Sequence, residues 1–128
     1  MKDEKARSRL LETLAGHVGQ EKAVGMDELF ELVFQRPVAH KINDTRELRR
    51  LITQIRLDGV PIASVPRSDG GGYFLASAGS ELEDYLTRLR RRGLAALALE
   101  AKLRRLSLND LLGRVRFNLK DDFHAAVQ

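Results

Sequence analysis

The side chains with the most distinctive chemistry in this 128-residue chain are the arginines between Asp44 and Gly59. With successive residues about 100° apart around a helix, Arg46, Arg50 and Thr53 share one face, Arg49 and Arg56 flank it, and Leu48, Leu51, Ile52 and Ile55 form the opposite stripe. A guanidinium is planar, permanently charged and forked, so it can grip two acceptors at once, such as guanine O6 and N7 or the oxygens of a phosphate. The pattern predicts base contacts from Arg46, Arg50 and Thr53, phosphate contacts from Arg49 and Arg56, and a further contact from Thr45. Glu47 and Asp58 fall together on the other flank and leave the basic face uninterrupted. The competing reading is an ordinary solvated helix face, and the arginine clustering on the helix that directly precedes the glycine-rich hairpin argues against it.

Catalytic chemistry has little to work with. His17, His40 and His124 are scattered and lack acidic neighbours at metal-ligand spacing, and cysteine is absent, so neither a zinc site nor a histidine base is expected. Gly70 to Gly72 lack the Lys-Ser/Thr that would make a glycine run into a phosphate-binding loop. Asp121 and Asp122 read as a polar turn. No enzyme, metal or cofactor is expected.

The elements that must position the arginines can be read from periodicity. Ala6, Leu10, Leu11, Leu14 and Val18 recur at helical spacing and predict a first helix ending near Gly16 or Gly19. Asp27 is placed to cap a second helix with Leu29, Phe30, Val33 and Phe34 on its apolar face, and Pro37 marks its end. Asp44 and Glu47 make a capping-box pattern for a third helix starting near Asp44 and closing at Gly59. Pro61 to Val65 and Tyr73 to Ala76 then read as two strands joined by the turn-forming RSDGGG. The fold class is therefore mainly α with a small β-hairpin.

Residues LRRLITQIRLDGVPIASVPRSDGGGYFLA resemble the winged helix-turn-helix family typified by the DNA-binding domain of biotin operon repressors, and also look like short winged-helix proteins of phages and prophages. Gly59, Val60, Pro61 and Ile62 match the family's strand after the third helix, and Gly72, Tyr73 and Leu75 match the return from the wing. The resemblance covers about half of the chain and nothing after Ser80. It implies a double-stranded DNA-binding protein acting in transcription control or replication, with Arg67 of the wing against the minor groove or phosphate. One departure is the long segment Gln35 to Asn43, where the family has a tight turn.

A boundary at residues 78–80 divides the chain into a module, 1–78, and a helical extension, 79–128. Ser80 and Glu83 are a second capping-box pair, Gly93 leaves one bent helix or two consecutive ones, and Ser107 with Asp110 opens a last short helix. Tyr85, Leu89, Ala96, Leu99, Leu103 and Leu106 fall on the alternating steps of a coiled-coil seam, with Arg92 as the misfit. Such a stripe either folds back on the module or takes a partner; a homodimer presenting two recognition helices is expected, with a replication or transcription protein as the alternative partner. Arg88 to Arg92 read as a solvated basic turn, with phosphate contact as the alternative.

The net charge of +4 is permissive for nucleic acid. Aromatic residues make up 5% of the chain, which leaves no evident stacking platform for single strands. The charged N-terminus, the absence of a long apolar run and the lack of cysteine predict a cytoplasmic protein.

Overall fold

The computed structural model describes residues 2–65 and 71–115. It is mainly helical with one small antiparallel sheet: α1 (Lys2–Ala15), β1 (Val24–Gly25), α2 (Met26–Phe34), α3 (Lys41–Leu57), β2 (Ile62–Val65), β3 (Gly72–Leu75), α4 (Ser80–Leu103) and α5 (Leu108–Val115). Among the described residues no helix is long and apolar enough to cross a membrane. The chain divides into two units, residues 1–85 and 86–128.

In the first unit α1 buries Ala6, Leu10 and Leu14, the four-residue repeat anticipated from the sequence. The helix stops at Ala15, and residues 17–19 then run beside β3, with the Leu75 N–H donating to His17 O and the Gly19 N–H to Leu75 O. A 3-10 turn at Gln20–Lys22 leads into β1, which pairs with β3 through Val24↔Tyr73 and Gly25↔Gly72. This strand has only two residues and no alternating pattern of its own, which is why periodicity passed over it. Gly25, and not Asp27, holds the N-cap position of α2; Asp27 lies in the first turn, where its charge still favours the positive end of the helix dipole.

The expected hairpin is present, with the register Ile62↔Leu75, Ala63↔Phe74, Ser64↔Tyr73 and Val65↔Gly72. β3 lies between β1 and β2. Side chains on a strand alternate between faces, and here both faces are covered. Ile62, Val24 and Tyr73 join Leu10, Leu29, Phe30, Val33, Leu48, Ile52 and Ile55 in one core. Ala63, Phe74 and Ala76 join Tyr85 in a second, smaller one, with Leu82 packed against it.

That second core moves the boundary. Tyr85 was expected on a partner interface, yet it is buried against Ala63 and Phe74, because the far face of the sheet carries an apolar ring and two alanines that need a cover. The first unit accordingly runs on to Tyr85, seven residues past the composition break at Ala78. The start of α4 also differs from expectation. Gly79, at φ 113, precedes the first helical residue, Ser80, and its carbonyl accepts the Glu83 N–H.

In the second unit α4 continues unbroken through Gly93 to Leu103, so the helix is single. It ends where Arg105 takes φ 60: the Leu106 N–H donates to Ala101 O and the Arg105 N–H to Lys102 O, the paired bonds of a Schellman ending, with arginine where glycine is usual. The Ser107 hydroxyl then accepts the Asp110 N–H at 3.1 Å and caps α5, as its spacing predicted. Among the described residues of this unit, Ala101 and Leu111 are the buried side chains.

Candidate nucleic-acid interface

The third helix begins at Lys41, one turn earlier than the Asp44–Glu47 pair suggested. Asp44 is an interior residue whose carboxylate reaches back to accept the Ala39 and His40 N–H groups at 2.9 and 3.0 Å. Arg36 closes the connection between α2 and α3: its guanidinium stacks over Phe30 at 4.8 Å and bridges Asp44 at 3.2 Å and Glu47 at 3.5 Å. The backbone donor of His40, then Arg36, then the Ala39 donor hold the Asp44 carboxyl at about 2, below its ordinary 3.8. The long segment after α2 is therefore consumed partly by the extra helical turn and partly by this polar latch.

At its other end α3 has the predicted stop. Gly59 adopts φ 95, its N–H donates to Arg56 O, and the Val60 N–H donates to Ile55 O. Only glycine takes that left-handed conformation without strain. The buried stripe is Leu48, Leu51, Ile52 and Ile55, so the phase of the helix is the one read from the sequence.

Arg46, Arg49 and Arg50 are exposed on the opposite side. Among the described residues Arg46 and Arg50 form no ion pair, and the Arg49 Nε donates to its own helix at Thr45 O, 3.3 Å. Arg50 stands at the edge nearest α1 and α2, lining a recess with Phe34 and Glu47. Thr53 is half-buried. The earlier helix start adds Ile42, 70% exposed, and Asn43 to the same face, two residues that the capping-box reading left outside the helix. The missed signal was Ile42 itself, an aliphatic residue in helical phase with Arg46 and Arg49.

Two expected contacts are turned inward. Thr45 is buried, and its hydroxyl donates to the carbonyl of Lys41, one turn back, so it is not available on the outer face. Arg56 is half-buried, with Nε donating to Ile62 O at 2.7 Å and its guanidinium 5.9 Å from the Tyr73 ring and 5.4 Å from the Tyr85 ring. Its hydrocarbon stem and flat cation suit that aromatic slot, which draws it off the outer flank of α3. One terminal nitrogen, Nη2, is buried there without a hydrogen-bond partner. Burial raises the Tyr73 phenol pKa, against the lowering pull of Arg56.

The acidic flank is neutralised from outside the helix. Arg36 pairs with Glu47, and Arg7 of α1 reaches Asp58 at 2.9 Å. Cations held against both acids leave the Arg46–Arg49–Arg50 face the dominant charge of α3. Arg67 lies outside the described residues, as do Asp121, Asp122 and His124. In the second unit Leu89, Leu99 and Leu103 are exposed and Leu106 half-buried, so the candidate stripe, without Tyr85, faces solvent. Among the described residues no group of three or more His, Asp or Glu side chains converges as a metal site. Comparison with family models, curated proteins and solved structures returned no match for this chain.

Proposed function

We propose that the first unit is a winged helix and that α3 enters the major groove of double-stranded DNA. The element order α1, β1, α2, α3, β2, β3 with β3 central is the order that such a domain requires, and the hairpin follows α3 directly. The observation that carries the reading is the outward face of α3, where Arg46, Arg49 and Arg50 are exposed together while both neighbouring acids are engaged by Arg36 and Arg7. An α-helix fits the major groove, and an arginine fork can read guanine there. Ile42 offers an apolar contact to a thymine methyl, and Asn43 a pair of hydrogen bonds to adenine. Arg49 supplies phosphate contact and fixes orientation.

Duplex binding measured across a salt series tests this directly. The affinity of the unaltered chain falls with rising salt, by about 0.9 log units per log unit of salt for each phosphate neutralised. Arg46→Ala and Arg50→Ala each weaken binding by about 1–3 kcal/mol and relax the preference for guanine at one position. Equal, negligible binding by the parent and the double variant would remove the proposal. A role in phage or prophage transcription control or replication rests on the family resemblance and is part of the same proposal, as is the absence of catalytic activity.

A further inference from the structure

Positive charge in this molecule is not centred on α3. Residues 86–115 carry eight basic and two acidic side chains, a net of +6 against +4 for the whole chain, so the remainder is net acidic. The same stretch also exposes leucine on a scale the first unit does not. Leu99 is 60% exposed and Leu103 77%, and Leu86, Leu89, Leu94 and Leu112 are exposed as well, whereas only Ala101 and Leu111 of the described residues here are buried. A helical pair with so small an interior and so many outward leucines presents a binding surface.

We infer that this surface docks an acidic amphipathic helix of a partner protein. Leu89, Ala96, Leu99 and Leu103 follow the alternating spacing that seats a second helix, and Arg92 lies within that stripe. A second copy of the chain in parallel would set Arg92 against Arg92 and bring together two surfaces of +6, a like-charge juxtaposition that interfaces avoid. Nucleic acid satisfies the arginines and leaves the leucines in water. A bilayer needs charge and apolar surface on opposite faces, but Arg90, Arg91 and Arg92 are consecutive and therefore splay around the helix. A partner helix with leucines along one stripe and carboxylates at its margins covers Leu99 and Leu103 and meets Arg91, Arg92 and Arg105 with opposite charge. The inference is independent of duplex binding by α3.

The test uses the full chain and a labelled synthetic peptide of four heptads, with leucine at a and d and glutamate at e and g, followed by fluorescence anisotropy at low and high salt. Saturable binding that weakens with salt is expected. Leu99→Ser with Leu103→Ser reduces the affinity at least about tenfold, a 1.4 kcal/mol effect, and leaves duplex binding unchanged. Arg91→Glu with Arg92→Glu does the same to the peptide, which guards against misreading a folding defect; circular dichroism of both variants should match the parent. The same peptide with lysine in place of glutamate does not bind. No binding of the acidic peptide, binding insensitive to the leucine changes, or equal binding of the lysine peptide overturns the inference. So does a leucine-dependent doubling of mass with concentration, which assigns the face to a second copy, or leucine-dependent binding to phosphatidylserine vesicles in preference to the peptide.

Discussion

Asp44 acts as a latch between α2 and α3. Its lowered pKa of about 2 means that the folded state favours the charged carboxylate. The stabilisation is therefore complete above the ordinary value of 3.8 and disappears as pH falls toward about 2. Amide exchange across residues 36–44 in an acid titration should show this connection opening over that interval, and Asp44→Asn should lack the step. Arg56 makes a contrasting case among the arginines. Because it loses a charged hydrogen bond and two ring contacts, Arg56→Ala should lower unfolding stability by about 2–3 kcal/mol. Arg46→Ala and Arg50→Ala, at solvent-exposed positions, should stay within about 0.5 kcal/mol of the parent in the same denaturant melts. Spacing alone placed Arg56 beside Arg49 on the outer flank of α3, next to Arg46 and Arg50. What separates them is the aromatic slot formed by Tyr73 and Tyr85, residues 17 and 29 positions further along the chain.

The individual helices show how much of an element is locally encoded. Apolar spacing located the buried faces of α1, α2 and α3 and the hairpin strands, and Gly59 and Ser107 marked a stop and a start correctly. The start of α3 was less legible, since Asp44 with Glu47 imitates a capping box while its carboxylate serves residues upstream. Gly93 left one helix or two open for a related reason: glycine weakens a helix without breaking it, and α4 continues through. A Cβ at Gly93 meets nothing within 4 Å, so Gly93→Ala should stabilise the chain by about 1 kcal/mol in thermal or denaturant melts. Arg105→Gly should add about 0.5–1 kcal/mol, because glycine occupies the left-handed ending of α4 without steric cost.

For the first unit as a whole, the sheet is the organising feature, since it carries apolar side chains on both faces. α1, α2 and α3 cover one, and the first turns of α4 cover the other. Phe74→Ala removes the more deeply buried of the two rings in the second core and should cost about 3–5 kcal/mol. A chain ending at residue 85 should accordingly unfold in one cooperative transition, whereas one ending at residue 78 uncovers Phe74 and should bind a hydrophobic dye and melt at lower temperature.

The amino-acid sequence by itself determined which face of each helix is apolar, where the hairpin turns and that Arg46, Arg49 and Arg50 lie opposite the buried stripe of α3, because these follow from the fixed repeats of helix and strand. Tertiary structure decided the membership of β1, whose two residues acquire a role only through pairing with β3, and the destinations of Thr45, Arg56 and Tyr85. Each of those three side chains joins an apolar part to a polar group, so local periodicity leaves two environments open to it, and the neighbours brought up by distant parts of the chain select between them.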